Sequence, residues 1–249
     1  MTAALPPVRD DQLMIVVPTY NERENLAALV AGVAAALPGA HILVVDDDSP
    51  DGTADLAREL KTRHPTLDLL VRKGARGLGG ALVAGFKEGV ARGHLAVGSM
   101  DCDLSHDPAT LPAMLAKLQD HDLVTGSRYI AGGGTVGWGA HRKLLSWTAN
   151  RFAATLLGLR LSDVTTNFRV VRAPLLRSID LDGIVSTGYS FQVEILHRLI
   201  VAGARVAEQP IVFHDRRAGV SKMSAREVRN GVLHLMRLRS TLGRSAPPR

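Results

Sequence analysis

The sequence predicts an α/β fold built on a mostly parallel sheet. Apolar runs at residues 13–17, 41–45, 67–71 and 95–99 have the length and composition of buried strands. The segments between them have the length and patterning of helices, and a fifth apolar run at residues 122–126 continues the series. Alternation of this kind places helices on both faces of a parallel sheet.

Composition limits the classes of function. With 249 residues, 46% of them hydrophobic, the chain has room for one large α/β domain or two small ones. The net charge of +6 favours an anionic partner such as a nucleotide, a phospholipid or a nucleic acid. Nucleic acid is disfavoured because aromatic residues make up only 4% of the chain and the basic residues are scattered. Cys102 is the single cysteine, which excludes an internal disulfide and a cysteine-rich zinc site and makes a reducing cytosol the default.

Nothing in the chain predicts secretion or a membrane span. Residues 1–12 lack a basic start followed by an apolar core. The longest charge-free stretch, residues 25–45, is interrupted by a Pro-Gly pair and is therefore interpreted as a helix followed by a strand. Residues 1–11 and 243–249 are expected to be a loose N-terminus and a tail.

Two carboxylates follow the central strand of the predicted sheet. Asp101 and Asp103 are one residue apart, so alternation along a strand would direct both to the same side and Cys102 to the other. Paired carboxylates at the carboxyl edge of a parallel sheet suit a hard cation such as Mg²⁺ or Mn²⁺. A solvated acidic loop is the alternative interpretation.

Polar residues also follow the first two strands. The first strand ends in Pro18-Thr19-Tyr20-Asn21-Glu22, where a dinucleotide-binding unit would have a glycine fingerprint. This composition favours stacking and polar contacts with a nucleoside. The second strand ends in Asp46 and Asp47, either of which is well placed for ribose hydroxyls or a base edge. Asp51 or Thr53 is expected to cap the helix that follows.

The second half of the chain is less regular. A glycine-rich stretch at residues 132–139 has the composition of a lid or an acceptor loop. Arg142 opens a helix that also carries Ser146, and a basic group there suits an external anion, with a solvated helix face as the alternative. Residues 206–213 are predicted to form a late strand. Residues 224–242 form a basic amphipathic helix for which core packing and a membrane surface remain equal alternatives, and its apolar stripe comprises Val228, Val232, Leu235, Met236 and Leu242.

Taken together, these motifs resemble family 2 glycosyltransferases of the GT-A fold, and most closely the dolichol- or polyprenol-phosphate mannose synthases. The resemblance runs from Met14 to about Met236, and the order and spacing of the motifs carry it. The motifs are Pro18-Thr19-Tyr20-Asn21-Glu22, Asp46-Asp47-x-Ser49-Pro50-Asp51-Gly52-Thr53, Met100-Asp101-x-Asp103-Leu104-Ser105-His106, Gly126-Ser127-Arg128-Tyr129 and Phe213-x-Asp215-Arg216-x-x-Gly219-x-Ser221-Lys222. A departure occurs at Thr165-Thr166-Asn167, where relatives often have Thr-Gly-Ser.

The resemblance implies roles for individual residues. The guanosine of GDP-mannose would be held by Pro18, Tyr20, Glu22, Val45 and Asp47. The ribose and diphosphate would meet Asp101, Cys102 and Asp103, and Mg²⁺ or Mn²⁺ would be bound by Asp101, Asp103 and Ser105. The lipid phosphate would be bound by Arg128, Arg142 and Ser146. Arg216 and Lys222 would close over the diphosphate, and the catalytic set would comprise Asp101, Asp103, Arg128, Arg216 and Lys222.

The activity implied by the resemblance is inverting transfer of mannose from GDP-mannose to a polyprenyl or dolichyl monophosphate. The GT-A catalytic domain would span residues 12–223, with a nucleotide-sugar half at 12–126 and an acceptor half at 127–223. Many relatives carry C-terminal transmembrane helices and this chain has none. The helix at 224–242 or an integral-membrane partner is therefore expected to bring the enzyme to the cytoplasmic face of the membrane. The alternatives are another donor, such as UDP-glucose, and a non-catalytic basic module that binds nucleotides or nucleic acid.

Overall fold

The structure, a computed structural model, describes residues 5–74, 76–184, 186, 188–215 and 225–242. Within them the predicted α/β architecture is confirmed. The strands are β1 Leu13–Thr19, β2 His41–Asp46, β3 Leu67–Val71, β4 Ala96–Ser99, β5 Leu123–Ser127, β6 Gly134–Val136, β7 Arg169–Arg172, β8 Val206–Pro210 and β9 Val212–His214. The helices are α1 Arg23–Ala36, α2 Thr53–Lys61, α3 Leu78–Ala91, α4 Leu111–Lys117, α5 Ala140–Leu157, α6 Ala173–Arg177, α7 Tyr189–Val201 and α8 Ala225–Leu242, with short 3₁₀ turns at Asp10–Gln12 and Pro108–Thr110.

The main sheet has the strand order β3-β2-β1-β4-β7-β5-β8. β1 pairs in parallel with β2 and with β4, and β8 pairs in parallel with β5. β7 is antiparallel to both of its neighbours, β4 and β5. Both predicted halves of the chain therefore contribute strands to the same sheet. β1 lies between β2 and β4, and ligands of open α/β sheets bind at the carboxyl edge beside such a reversal of strand order.

Helices cover the sheet on both faces. α1, α2 and α4 bury Leu26, Leu29, Leu60 and Met114 in one apolar layer. α3 and α5 to α8 form the layer on the other face. Because β1 is covered from both sides, its residues 13–17 are all fully buried, which explains their uninterrupted apolar run. α3 lies so close to β1 that a Cβ atom at Gly85 would overlap the Val16 side chain.

The late strand predicted at residues 206–213 is divided between two sheets. β8 pairs with β5, whereas β9 pairs in parallel with β6 in a separate two-stranded sheet. Pro210 has no N–H to donate, so the ladder with β5 ends there. Ile211 is buried at the junction and bonds through its backbone to Ser127 and Gly134. The glycine-rich stretch predicted as a lid thus supplies β6, one half of this small sheet.

The N-terminal segment differs from the predicted loose end. The Leu5 N–H donates to the Gln119 carbonyl at 3.2 Å, and Arg172 Nη2 donates to the Pro6 carbonyl at 2.7 Å. Val8 is buried in the core. Residues 5–11 are therefore attached to the body of the domain. The tail at 243–249 lies outside the described residues.

α8 packs its inner face against the domain. Leu235 and Leu238 are buried with residues of α5 and α7, and Arg239 Nη1 donates to the Leu156 carbonyl at 2.7 Å. Met236, however, is 50% exposed, so the prediction that Met236 and Leu235 share one apolar face is wrong. The physical reason is that consecutive helix residues point about 100° apart. Core packing is confirmed for this inner face. The side chains of Val228, Val232 and Leu242 lie outside the described part of the structure.

None of the helices in the described ranges combines the length and the apolar character that a membrane span requires.

Candidate active site

The carboxyl ends of β2, β1 and β4 lie side by side at one edge of the sheet. Asp47 and Tyr20 directly follow β2 and β1, and Asp101 is the second residue after β4. This arrangement confirms that the polar residues predicted to converge share one edge, and it forms the first part of the candidate site.

Asp46 and Asp47 have different environments. Asp46 is fully buried and accepts hydrogen bonds from Thr19 Oγ1 at 2.9 Å and from Ser49 Oγ at 2.6 Å, so it holds the loop after β2. The Asp47 carboxylate accepts from Arg72 Nη1 and from the Gly77 N–H, both at 2.7 Å. Of the two predicted candidates, Asp47 is the one that faces the glycine loop at the sheet edge. Arg72 is a site neighbour that the sequence pattern did not indicate.

Pro18, Tyr20 and Glu22 form a partly exposed surface at the end of β1. The Arg76 guanidinium lies 4.6 Å from the centroid of the Tyr20 ring, a cation–π contact. Pro18 and Glu22 are partly buried, and Glu22 Oε2 accepts from Asn25 Nδ2 at 2.9 Å. The predicted helix cap is partly correct, since Asp51 Oδ1 accepts from the Thr53 N–H at 2.9 Å, although Gly52 occupies the N-cap position itself.

Two of the predicted substrate-binding side chains belong to the core. Val45 is fully buried in the apolar layer beneath α3, and Cys102 is 2% exposed in the opposite layer. Burial raises the pKa of the Cys102 thiol, so this cysteine remains protonated and unreactive. At both positions only the backbone can contact a ligand.

Asp101 is the accessible carboxylate of the pair after β4. Its side chain is 29% exposed, and its Oδ1 accepts from Asn167 Nδ2 at 2.8 Å. Its backbone N–H donates to His106 Nδ1 at 3.3 Å. Complete burial lowers the pKa of the His106 imidazole, partly opposed by Asp101, so the ring is neutral.

Asp103 is turned inward and is only 4% exposed. Its Oδ1 accepts from the Ser105 N–H at 3.1 Å and from Ser105 Oγ at 2.5 Å, across a turn in which Leu104 has φ +60°. Both aspartates lie beyond the end of β4 at Ser99, so strand alternation does not govern their directions as predicted. The Ser105 hydroxyl orients Asp103, and direct ligation of a metal by Ser105 stays a prediction.

The donor set suits a hard divalent cation. Asp101 and Asp103 offer carboxylate oxygens on one loop at the carboxyl edge of the sheet, the ligands that Mg²⁺ and Mn²⁺ prefer. Among the residues that the structure describes, no group of three or more His, Cys, Asp or Glu side chains could hold a metal by itself. Mg²⁺ commonly binds through one or two carboxylates, with water and substrate phosphates as its other ligands.

Arg128 follows β5 and is almost fully buried against Asp163. Arg128 Nε donates to Asp163 Oδ2 at 2.6 Å, and Nη2 donates to Asp163 Oδ1 at 2.8 Å. Nη2 also donates to Thr165 Oγ1 at 2.9 Å. This bidentate pair fixes the plane of the guanidinium. Asp163 precedes β7 without a motif around it, so its pairing with Arg128 could not be predicted from sequence.

Arg142 and Ser146 lie on the first turns of α5, as predicted. Arg142 Nη1 donates to both carboxylate oxygens of Asp215, at 2.9 and 3.1 Å, and its guanidinium carbon lies 4.1 Å from the centroid of the Trp138 ring. The Tyr129 hydroxyl donates to Ser146 Oγ at 2.7 Å. Arg142 therefore lies against the Trp138 ring, and Ser146 contacts Tyr129, which follows Arg128 after the end of β5.

A series of aromatic rings connects the Asp101 loop to these arginines. His106 lies 5.4 Å from Phe213, and Phe213 lies 5.4 Å from Trp138, both measured between ring centroids. The Arg128 guanidinium carbon is 5.6 Å from each of the Phe213 and Trp138 centroids. The His214 N–H also donates to the Ser105 carbonyl at 3.1 Å, which joins β9 to the loop that carries the aspartates. A continuous series of side-chain contacts through Phe213 and Trp138 therefore connects the Asp101 loop to Arg128 and Arg142.

Two predicted site residues cannot be placed, since Arg216 and Lys222 lie outside the described residues.

Comparison with known proteins agrees with this architecture. The model of the family described as "Glycosyl transferase family 2" matches residues 14–180. The chain is 42% identical over 226 residues to an undecaprenyl-phosphate mannosyltransferase of Micrococcus luteus, covering 91% of this chain and 93% of that protein. It is 43% identical over 221 residues to a polyprenol monophosphomannose synthase of Mycolicibacterium smegmatis, covering 88% of this chain and 83% of that protein.

A solved structure shares the fold at much lower sequence identity. Glucosyl-3-phosphoglycerate synthase from Mycobacterium tuberculosis, in complex with Mn²⁺, UDP and glucosyl-3-phosphoglycerate, superposes with a TM-score of 0.63 at 16% identity. The match covers 94% of this chain and 81% of that one. The same enzyme in complex with phosphoglyceric acid gives a TM-score of 0.66, again at 16% identity, covering 91% of this chain and 79% of that one. From the sheet edge, the placement of the motif residues and the family match, we conclude that the chain belongs to glycosyl transferase family 2 and has its GT-A fold.

Proposed function

We propose that this protein transfers mannose from GDP-mannose to a polyprenyl monophosphate and inverts the configuration of the anomeric carbon. The observation that carries the proposal is the continuous site in which the Asp101 loop and the Arg128–Trp138–Arg142 cluster share the aromatic contacts of Phe213. The two relatives named for polyprenyl-phosphate mannose synthesis support the choice of sugar and acceptor.

The nucleotide side of the site is formed by the ends of β1 and β2. Tyr20 offers an aromatic face on which a guanine can stack, in place of the Arg76 guanidinium that lies there now. Asp47 keeps further lone pairs on both oxygens, so it can accept from the guanine or from a ribose hydroxyl beside Arg72 and Gly77. Pro18, Glu22 and the backbone of Val45 complete this side.

Asp101 and Asp103 would hold Mg²⁺ or Mn²⁺ together with the donor diphosphate. Such a cation would stabilise the negative charge that develops on the departing GDP. Asp101 is the exposed ligand, while Ser105 keeps Asp103 in place. Arg216 and Lys222 would add positive charge to the same diphosphate.

The acceptor phosphate would bind between Arg128, Arg142 and Ser146. Its second pKa is near 6, so it is mostly a dianion at neutral pH and needs no strong general base to become a nucleophile. Asp163 and Trp138 hold the two guanidinium groups in fixed orientations, which positions the phosphate for in-line attack. The protein thus contributes mainly orientation and charge stabilisation.

A donor comparison tests this function. The purified protein is incubated with Mn²⁺, vesicles that contain a polyprenyl monophosphate, and radiolabelled GDP-mannose or UDP-glucose. We expect label in the extracted lipid from GDP-mannose and not from UDP-glucose. Label from UDP-glucose alone would favour the alternative donor, and nucleotide binding without turnover of either donor would favour a non-catalytic module.

Arg142→Ala is expected to weaken the acceptor side selectively. A hydrogen bond to a charged group contributes about 1.5–3 kcal/mol, so we expect the KM for polyprenyl phosphate to rise about ten- to a hundredfold. The KM for GDP-mannose should stay near the wild-type value. Lys143→Ala is the matched control, because it removes a neighbouring exposed positive charge from the same helix. Equal changes in both KM values would contradict the assignment.

The proposed acceptor is a membrane lipid, and α5 presents an apolar outer face. Leu144, Leu145 and Phe152 are 63%, 58% and 42% exposed, while Ala153 and Leu157 on the opposite side of the helix are buried. The adjacent α8 adds Leu233 and Met236, 48% and 50% exposed. We infer that this α5–α8 outer face rests on the membrane surface next to Arg142, which would bring the site to a lipid headgroup.

Vesicle flotation tests the α5–α8 outer face. Burying one leucine side chain is worth about 1.5–3 kcal/mol, so Leu144→Glu combined with Leu145→Glu should reduce binding to phosphatidylglycerol-containing vesicles at least about tenfold. The matched control is Val201→Glu, at a residue 53% exposed at the end of α7. Point substitutions are preferable to removing α8, because its Leu235 and Leu238 belong to the core. Unchanged flotation of the double variant would contradict the proposal and favour a membrane-embedded partner as the anchor.

A further inference from the structure

Buried amides connect Asp101 to the second half of the chain. Asn167 Nδ2 donates to Asp101 Oδ1 at 2.8 Å, and Gln192 Nε2 donates to Asn167 Oδ1 at 3.0 Å. Asn167 is 4% exposed and Gln192 is 2% exposed. Asn167 lies in the stretch where the sequence departs from its relatives, and Gln192 lies on the first turn of α7.

The chemistry of a carboxylate fixes the direction of these bonds. An ionised carboxylate can only accept hydrogen bonds, so Asn167 must present its NH₂ group to Asp101. Its carbonyl oxygen then points to Gln192, which must present an NH₂ group in turn. Each amide thus has one orientation, and the charge on Asp101 determines it.

The backbone of each amide residue is also held. Ser99 Oγ donates to the Asn167 carbonyl at 2.7 Å, which ties Asn167 to the end of β4. Arg169 Nη1 donates to the Gln192 carbonyl at 2.7 Å, and Nη2 donates to the Val164 carbonyl at 3.0 Å. Burial lowers the pKa of Arg169 to about 9, so this side chain remains charged at neutral pH.

We propose that Asn167 and Gln192 are positioning residues that fix the rotamer of Asp101 for binding of the divalent cation. The inference rests on the proposed role of Asp101 in the transfer reaction. Groups that hydrogen-bond to metal ligands orient them, and their removal commonly lowers metal affinity or activity about 10- to 100-fold. Because Gln192 belongs to α7, the pair also makes the geometry of Asp101 depend on a helix of the acceptor half.

Direct measurement of Mn²⁺ binding tests this inference. Electron paramagnetic resonance of free Mn²⁺ gives the affinity of the full chain in the presence of GDP, independently of turnover. Asn167→Leu removes the donor to Asp101 with little change in volume, and we expect it to weaken Mn²⁺ binding about tenfold or more. Gln192→Met keeps Asn167 but removes the hydrogen bond that orients its amide. We expect it to weaken Mn²⁺ binding as well, but by less than Asn167→Leu.

Asn150→Leu is the matched control. Asn150 is also 2% exposed, and its side chain donates to the Ser146 carbonyl and Thr165 Oγ1 and accepts from the Val164 N–H. We expect Asn150→Leu to lower the thermal stability, as Asn167→Leu does, but to leave the Mn²⁺ affinity unchanged. The inference is overturned if neither Asn167→Leu nor Gln192→Met weakens Mn²⁺ binding beyond this control. If Asp101→Asn weakens Mn²⁺ binding and the amide variants do not, only the positioning role of Asn167 and Gln192 is contradicted. If Asp101→Asn also leaves Mn²⁺ binding unchanged, the proposed metal-binding role of Asp101 is contradicted as well.

Discussion

Asp101→Asn is expected to lower mannose transfer about a thousandfold or more. The substitution keeps the shape of the side chain and an oxygen that can accept from Asn167, but it removes the negative charge. Loss of a bound cation removes several kcal/mol of charge stabilisation from the transition state, and about 4 kcal/mol corresponds to a thousandfold in rate. The measurement is initial-rate transfer to polyprenyl phosphate over a range of Mn²⁺ concentrations.

The free energy of unfolding provides the control for Asp101→Asn. Because Asp101 is partly exposed, we expect the free energy of unfolding measured in urea to change by less than about 1 kcal/mol. Asp103→Ala should also abolish transfer, but it is a less selective test. Its carboxylate satisfies the Ser105 N–H in a buried turn, and losing that bond costs about 1–3 kcal/mol of stability. Wild-type turnover by folded Asp101→Asn would exclude Asp101 as a metal ligand.

Asp163→Ala is expected to have the largest effect on stability among these variants. The Arg128 and Asp163 side chains are 7% and 0% exposed and share two hydrogen bonds, and the Arg128 N–H donates a third to Asp163 Oδ2. Removing one partner of a buried pair leaves the other charge uncompensated and typically costs about 3–5 kcal/mol. Urea unfolding followed by circular dichroism measures this loss.

A double variant separates charge from packing at the same site. Arg128→Met combined with Asp163→Leu removes both charges and retains apolar volume, so it should unfold at higher urea concentration than Asp163→Ala alone. The double variant should still lack efficient transfer, because Arg128 is proposed to bind the acceptor phosphate. A loss below about 1 kcal/mol for Asp163→Ala would show that Arg128 is not stabilised by this pair.

The regular first half explains why so much of the fold was predictable. Continuous apolar runs mark strands covered on both faces, and each is followed by polar residues that gather at one edge. β1 to β4 and the convergence of Tyr20, Asp47 and Asp101 follow from these local patterns. The second half lacks such alternation, so the antiparallel β7 and the division between β8 and β9 had no local signal.

The details of the site depend on tertiary contacts that a pattern does not encode. Sequence spacing could not distinguish Asp46, which is bonded to Thr19 and Ser49, from Asp47, which pairs with Arg72, since the two are adjacent at the end of β2. The partners of Arg128 and Asp101, which are Asp163 and Asn167, come from segments more than 30 residues away and have no motif of their own. In α8 the predicted placement of Leu235 and Met236 on one face was wrong, since Leu235 is buried and Met236 is exposed.

The configuration of the product tests most directly the proposal that the acceptor phosphate attacks the donor in one step. The mannose of GDP-mannose is α-linked, so a phosphate held by Arg128 and Arg142 opposite the leaving GDP would give a β-linked lipid. Nuclear magnetic resonance of the isolated polyprenyl-phosphate mannose reports this linkage through the coupling at the anomeric carbon. We predict the β anomer alone. The α anomer would contradict the proposal, because in-line displacement by the acceptor phosphate must invert the anomeric carbon.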